Sequence, residues 1–265
     1  MKVLDLRRKI RSLAPTIALL PYWLLRDRKC VNSFLRDRTL ELSQQARWRL
    51  LRRLYTVSHH VECPHDQSDM LSFSRAILSI SQETKGCVVE AGSFKGGGTT
   101  KISIAAKAAR RDMVVFDSFE GIPENRENHG KNIFGGGVAP FKRGDFRGSI
   151  EEVQANVARY GEIGICRFVK GFFDSTLPHF KEPVAAAYLD VDLASSTCTC
   201  LKYLWPLLVP GGYLFSQDGH LPLVLEIFGD DRFWTDELGS SKPAIHGFGT
   251  EQLIWMQKPL LASST

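Results

Sequence analysis

Residues 185–220, AAAYLDVDLASSTCTCLKYLWPLLVPGGYLFSQDGH, restrict the possible folds of this chain more than any other stretch. An apolar run there ends in Asp190 and Asp192, a helical segment follows, and a second apolar run ends in Gln217 and Asp218. Short apolar runs between turn signals predict strands that are buried on both faces, as in a parallel sheet. Strand, helix and strand form a βαβ unit with parallel strands. The acids should therefore meet at the sheet edge where α/β folds bind ligands.

The rest of the chain repeats this alternation of apolar runs and helical segments. Residues 87–90, 113–116 and 166–169 predict further strands, and residues 251–257 predict the last one. A chain of 265 residues fits one large domain most easily. We therefore expect an α/β fold with a doubly wound, mostly parallel sheet, formed by residues 57–265 and preceded by a helical N-terminal extension, residues 1–56.

The N-terminal extension carries the positive charge of the chain. Residues 1–56 hold 14 Lys or Arg and 4 Asp or Glu, whereas the remainder holds 20 and 25. The sheet domain is thus acidic, and nucleic acid is not expected as its partner because phosphate binding needs clustered basic residues. Apolar residues four apart, Leu42 to Leu54, predict a helix that caps the domain or forms a homo-oligomer contact. A membrane-surface or partner-binding arm is the alternative.

An apolar run at residues 13–25 resembles a signal peptide, but Pro15 and Pro21 interrupt it and no cleavage site follows. It is also too short to span a bilayer, so no transmembrane segment is expected. The six cysteines include no C-x-x-C pair. Free thiols in a reducing compartment, and hence a cytoplasmic location, are therefore expected.

Two acids at the ends of predicted strands indicate a nucleoside-type ligand. Glu90 precedes a glycine turn of the form E-x-G-x-x-x-G, in which Gly92 and Gly96 let the backbone approach a ligand closely. This pattern differs from the dinucleotide motif, and its acid suits a ligand that carries an ammonium group. Asp117 follows the second strand, where nucleotide-binding α/β folds hold a ribose diol. The alternative for Asp117 is that it only caps a turn.

Two loops are long or unusual enough to suggest a function. Residues 122–148 form a long loop, which predicts a lid over the ligand. Ser149 and Glu152 then form a capping box that begins a helix. Residues 57–69 contain three histidines and Cys63, but their spacing matches no standard zinc motif. We expect that loop to line a cofactor pocket instead.

Four segments in this order resemble the macrocin O-methyltransferase type of class I S-adenosylmethionine-dependent methyltransferases. They are VVEAGSFKGGGTT, VFDSFEGIP, GFFDSTLP, and YLDVDLASST continuing through PGGYLFSQD. The resemblance covers residues 57–258. It implies a Rossmann-like fold, S-adenosylmethionine as cofactor, and methylation of a small-molecule hydroxyl, since relatives methylate sugar hydroxyls of macrolide and aminocoumarin antibiotics.

The resemblance also implies roles for individual residues. Those expected to contact the cofactor are Glu90, Ala91, Gly92, Ser93, Phe94, Asp117, Ser118, Phe119, Gly121 and Ser149. Those expected to bind magnesium are Asp190, Gln217 and Asp218, and Asp192 corresponds to the general base. Gln217 stands where the family has an acid, so one negative charge is lost and weaker metal binding is expected.

Other functions remain open at this point. A nucleotide-dependent oxidoreductase could use a similar sheet, although the G-x-G-x-x-G motif is missing. A non-catalytic protein could retain the cofactor fold, and Gln217 is compatible with that. His220 is a further candidate ligand or base. The sequence is compatible with methylation of either oxygen or nitrogen.

Overall fold

The computed structural model describes residues 25–260, which form a six-stranded sheet with helices on both faces. The strands are β1 (Cys87–Ala91), β2 (Met113–Asp117), β3 (Cys166–Lys170), β4 (Val184–Leu189), β5 (Leu208–Ser216) and β6 (Ile254–Gln257). Their spatial order is β3-β2-β1-β4-β5-β6. All neighbouring strands are parallel except β5 and β6. The prediction of a doubly wound, mostly parallel α/β sheet is confirmed.

Helices cover both faces of the sheet because its strands are apolar on both sides. The helices are α1 (Arg28–Arg36), α2 (Gln44–His60), α3 (Gln67–Ser79), α4 (Gly97–Ala108), α5 (Ile150–Tyr160), α6 (Phe173–Thr176), α7 (Ala194–Leu207) and α8 (Pro222–Gly229). In β1, Val89 joins one apolar cluster with residues of α7 and α8. Its neighbour Val88 joins another cluster with residues of α3 and α4. Alternation of this kind follows from the two-residue period of a strand.

Strand β5 is longer than the sequence predicted. We expected residues 213–215, whereas the strand begins at Leu208 and includes Pro210. The pairing of β4 with β5 shifts register between Val184 and Ala186. Because proline donates no backbone hydrogen bond, this irregular pairing is compatible with its presence in a strand. Strand β6 in turn is shorter than predicted, since it begins at Ile254 rather than at residue 251.

The N-terminal helices pack against the sheet domain. Side chains of α1 and α2 share an apolar cluster with Leu71 of α3 and Ile104 of α4. The boundary expected after residue 56 lies within α2, which continues to His60. The apolar run at residues 13–25 lies outside the described residues except for Leu25. Homo-oligomer formation through this region stays a prediction. Within residues 25–260, no helix is both long and apolar enough to cross a membrane.

The order of the strands places the ligand crevice between β1 and β4, because connections leave these neighbours in opposite directions. The backbone N–H of Asp190 donates to the carbonyl of Ala91 at 2.9 Å, so the chain segments that follow the two strands lie side by side. Gly92 has φ of +88°, and an added Cβ would collide with the carbonyl of Asp190. This close approach explains why glycine occupies that position.

Candidate active site

A cavity of about 1040 Å³ lies at the carboxyl edge of the sheet. The glycine turn, the turn after β2, the ends of β4 and β5, and residues 122–148 (the lid loop) surround it. The residues predicted for magnesium and for the general base, Asp190, Asp192, Gln217 and Asp218, all line it. Five residues predicted for the cofactor also line it, namely Gly92, Phe94, Asp117, Ser118 and Gly121. The site brings these two sets together around one space.

The other residues predicted for the cofactor are not on the cavity wall. Glu90 and Ala91 are the last residues of β1 and are 1% and 0% exposed. Ser149 accepts a hydrogen bond from the backbone N–H of Glu152 at 3.1 Å, as expected of a helix cap. Ser93 and Phe119 donate hydrogen bonds to the carboxylate of Asp117. Cofactor contacts by these five residues stay predictions.

Asp117 is held rigidly beside the glycine turn. Its Oδ2 accepts hydrogen bonds from the backbone N–H of Ser93 at 2.6 Å and from the hydroxyl of Ser93 at 2.8 Å. Its Oδ1 accepts from the backbone N–H of Phe119 at 2.6 Å. A carboxylate offers about four acceptor positions, so further hydroxyl groups can still bind. Asp117 is thus an oriented acceptor suited to the two hydroxyls of a ribose.

Glu90 is a buried acid beneath the glycine turn. Its Oε2 has no hydrogen-bond partner among the described residues. Burial raises the pKa of Glu90 to about 8. A buried carboxyl oxygen without a hydrogen-bond partner makes the ionised form of the group unfavourable, and a cationic group nearby would relieve this. This chemistry fits the ammonium-bearing ligand that the sequence predicted.

Replacing Glu90 with glutamine is expected to make the protein more stable at alkaline pH. The pKa of Glu90 is raised from 4.5 to about 8, so the folded state holds the proton more tightly. Stability from this group is therefore complete below about pH 4.5 and is lost as pH rises to about 8, by up to about 1.4 kcal/mol per unit. Melting temperatures of Glu90→Gln and wild type should diverge from pH 5 to pH 8. The exposed Glu120→Gln is the control, and parallel curves would contradict the prediction.

Three acids are clustered at the ends of β4 and β5. Oδ2 of Asp218 accepts hydrogen bonds from the backbone N–H groups of Val191 and Asp192, both at 3.0 Å. Asp192 has φ of +60°, a left-handed conformation that is uncommon outside glycine. Burial and the charges of Asp218 and Asp190 raise the pKa of Asp192 well above its ordinary value. Burial and Asp190 likewise raise the pKa of Asp218. Both carboxylates therefore have a high affinity for protons.

Each side chain predicted to bind magnesium has one oxygen that is hydrogen-bonded to another group of the protein. Oε1 of Gln217 accepts the hydroxyl proton of Tyr188 at 2.6 Å, and the amide is 4% exposed. Oδ2 of Asp190 accepts from His65 at 2.7 Å. In the described part of the chain, no three His, Cys, Asp or Glu side chains are arranged to hold a metal ion. This arrangement does not fit magnesium, which the family resemblance implied.

His65 and Glu127 are site residues that the sequence did not identify individually. The loop predicted at residues 57–69 is shorter in the structure, because α2 continues to His60 and α3 begins at Gln67. The connecting residues 61–66 line the cavity through Pro64 and His65, as predicted for this loop. Burial lowers the pKa of His65, but the carboxylate of Asp190 raises it well above its ordinary value. The only sequence signal for His65 was the histidine content of its loop. No local signal marked Glu127, because its partners are distant in the chain.

Glu127 attaches the lid loop to helix α7. Its carboxylate accepts hydrogen bonds from the backbone N–H groups of Ala194 at 2.7 Å and Ser195 at 2.9 Å. These groups belong to the first turn of α7, where no side chain of the helix itself acts as a cap. An acid at this position satisfies free N–H groups and interacts favourably with the helix dipole. The lid loop is thereby fixed directly beside Asp192.

Replacing Glu127 with alanine is expected to release the lid loop. Loss of an N-terminal cap destabilises a protein by about 1 kcal/mol. Trypsin should then cut faster after Arg126 and Lys131, which are exposed residues of the same loop. Electrophoresis of timed digests measures this. Glu124→Ala, at another exposed acid of the loop, is the matched control. Equal cleavage of Glu127→Ala and wild type would show that the lid loop does not depend on Glu127.

Solved structures of similar fold define the structural class. The O-methyltransferase NovP superposes with a TM-score of 0.58 over 72% of this chain and 79% of that chain, at 23% identity. The calicheamicin methyltransferase CalS11 superposes with a TM-score of 0.56 over 87% and 90%, at 17% identity. At these identities the likeness shows the fold alone. The chain has the Rossmann-like fold of class I methyltransferases, as the sequence predicted.

The family model described as macrocin O-methyltransferase (TylF) matches residues 66–230. This match covers more than half of the chain. The protein therefore belongs to the macrocin O-methyltransferase family, which confirms the resemblance found in the sequence.

Curated relatives of this chain are O-methyltransferases by name. The chain is 33% identical over 143 residues to the 8-demethyl-8-(2,3-dimethoxy-alpha-L-rhamnosyl)-tetracenomycin-C 4'-O-methyltransferase of Streptomyces olivaceus, covering 50% of this chain and 52% of the relative. It is 29% identical over 147 residues to the mycinamicin III 3''-O-methyltransferase of Micromonospora griseorubida, covering 53% and 58%. The chain thus spans about half the length of the curated relatives it matches.

Proposed function

We propose that this protein transfers the methyl group of S-adenosylmethionine to a hydroxyl group of a small molecule that resembles a sugar or a natural product. One observation carries the proposal. The turn that holds Asp117 and the acids that include Asp192 line the same cavity. A cofactor held by the first set would lie next to an acceptor held by the second. Membership of the macrocin O-methyltransferase family supports this assignment.

In this proposal the glycine turn and Asp117 orient the cofactor. When bound, S-adenosylmethionine supplies an activated methyl group, so the protein mainly has to align the acceptor oxygen. Asp117 accepts the ribose hydroxyls with a carboxylate that Ser93 and Phe119 already hold in place. Glu90 lies below the turn, and an ammonium group bound nearby would favour the ionised form of its buried carboxyl group. Gly92 keeps the two chain segments close enough to share one ligand.

The acceptor half of the site lies at the ends of β4 and β5. Asp192 accepts the proton of the acceptor hydroxyl as it attacks, a role that suits its raised pKa. Asp218 orients Asp192 by accepting its backbone N–H. The lid loop contributes apolar wall through Val138 and Phe141, which helps to exclude water. Magnesium assistance, which the family resemblance implied, forms no part of this mechanism because the donors present do not fit it.

Calorimetric titration with S-adenosylmethionine tests the cofactor assignment directly. Binding in the micromolar range is expected, and absence of binding at high micromolar cofactor would contradict the proposal. Acceptors should be screened by release of S-adenosylhomocysteine. Because one relative is named for a rhamnosyl-bearing substrate, the panel should begin with rhamnosyl conjugates and extend to other glycosides and phenols.

A further inference from the structure

The loop before α3 is joined to the end of β4 by one short hydrogen bond. Nε2 of His65 lies 2.7 Å from Oδ2 of Asp190, and the side chains are 7% and 21% exposed. An ionised carboxylate can only accept, so Nε2 carries the proton. The N–H group of His65 therefore points at the carboxylate of Asp190, which the family resemblance implied as a magnesium ligand.

The imidazole of His65 is held from its other sides as well. Nδ1 lies 3.7 Å from Sγ of Cys63, and the ring packs edge-on against Tyr188 with a centroid distance of 5.6 Å. Cys63 is itself within 3.5 Å of the ammonium of Lys101, which is 1% exposed. His65 thus belongs to a buried and packed network. The packing of the domain therefore holds the ring of His65 against Asp190.

Gln217 is fixed by a second network with a defined orientation. Its Oε1 accepts from the hydroxyl of Tyr188 at 2.6 Å, and its Nε2 donates to Oδ2 of Asp69 at 3.1 Å. Since a carboxylate accepts and an amide nitrogen donates, the amide group cannot be reversed without loss of the bond to Asp69. Gln217 stands where the family has an acidic metal ligand, and its only oxygen is directed towards the hydroxyl of Tyr188.

We propose that the acceptor site of this protein works without a divalent cation, and that His65 is the positioning residue that orients Asp190 in place of a metal. One oxygen of each side chain expected to bind magnesium is already hydrogen-bonded within the protein: Asp190 Oδ2 to His65, Gln217 Oε1 to Tyr188, and Asp218 Oδ2 to two backbone N–H groups. Magnesium requires several well-placed oxygens in near-octahedral geometry. His65 orients the other carboxylate oxygen of Asp190, which can accept a hydrogen bond from the hydroxyl group that is to be methylated.

Metal binding can be measured without any assumption about the acceptor. Mn²⁺ should be titrated into the full chain and followed by electron paramagnetic resonance, with Mg²⁺ as competitor. Wild type is expected to show no specific binding below the millimolar range. The double variant His65→Ala/Gln217→Glu removes the N–H donor and restores an acid, and it should bind Mn²⁺ at least about tenfold more tightly, a gain of about 1.4 kcal/mol. His60→Ala, at an exposed histidine of α2, is the matched control and should not differ from wild type.

Two outcomes would overturn the inference. One is micromolar binding of Mn²⁺ by wild type that Asp190→Ala removes. The other is loss of methyl transfer by wild type in chelator with recovery on adding Mg²⁺. If the double variant does not fold, the Mn²⁺ titration of wild type alone still tests whether the site binds a divalent cation.

This inference rests on the proposed function only where methyl transfer is measured. A calorimetric titration with S-adenosylmethionine tests the proposed function independently of the metal-free site. Absence of cofactor binding would refute the proposed function, whereas metal binding by wild type would refute only the metal-free site. A positioning role predicts that His65→Ala raises the KM for the acceptor and lowers kcat, while the affinity for S-adenosylmethionine is retained. Unchanged kinetics of a folded His65→Ala would contradict that role.

Discussion

Replacing Asp192 with asparagine is expected to lower the rate of methyl transfer by about 10²- to 10⁴-fold, the usual contribution of a positioned general base. The carboxylate has a raised pKa because it is buried and lies near Asp218 and Asp190. Asparagine has the same shape and tolerates the left-handed φ of +60°. The backbone N–H bond to Asp218 should therefore persist. Single-turnover rates at saturating cofactor, with an acceptor found in the screen, measure the effect.

The controls for Asp192→Asn separate catalysis from folding and binding. Its affinity for S-adenosylmethionine should equal that of wild type, because the residue faces the acceptor half of the cavity. Asp174→Asn removes a carboxylate from an exposed residue of the cavity wall that has no role in the proposed mechanism, and it should leave the rate unchanged. A wild-type rate in Asp192→Asn would show that another group, such as His220 on the cavity wall, takes the proton.

Replacing Asp117 with alanine is expected to weaken binding of S-adenosylmethionine about 100-fold. A hydrogen bond to a charged group contributes about 1.5–3 kcal/mol, so loss of one strong bond to a ribose hydroxyl is enough for this effect. About 2.7 kcal/mol corresponds to the 100-fold change. Calorimetry with S-adenosylmethionine and S-adenosylhomocysteine measures it, and both ligands should be affected equally since they share the ribose.

Two further variants test the specificity of that effect. Ser93→Ala removes one bond that orients Asp117 and keeps the carboxylate, so it should weaken binding by less than about tenfold. Glu120→Ala removes an exposed acid from the same turn and should bind cofactor like wild type. Unchanged affinity in a folded Asp117→Ala would place the ribose elsewhere in the cavity.

The sequence predicted the elements of the sheet well because their signals are local. Strands β1, β2 and β4 are 5 to 6 residues long, and each is an apolar run with an acid within one residue of its carboxyl end. Because β1, β2, β4 and β5 are parallel, Asp117, Asp190 and Asp218 lie at a single edge of the sheet. Errors of extent occurred at β5 and β6, where irregular pairing and an antiparallel edge strand determine the ends.

Contacts within the site depend on segments that are far apart in the chain. His65 meets Asp190 across 125 residues, and Glu127 meets Ala194 across 67. No spacing rule connects such pairs. Gln217 shows the same limit, since the sequence identified the missing acid but not that Tyr188 would engage the amide oxygen.

The sequence by itself therefore determined the fold class, the family and the acids at the carboxyl ends of the strands. Apolar runs and the turn residues that bound them are properties of short segments, so the sequence shows them directly. Only the tertiary structure decided that Asp218 accepts a hydrogen bond from the backbone N–H of Asp192 and that His65 donates one to Asp190. It also decided that Glu127 joins the lid loop to α7. Hydrogen-bond partners in a buried site are chosen by the packing of distant segments, because each buried polar group must find whichever partner the fold brings within reach.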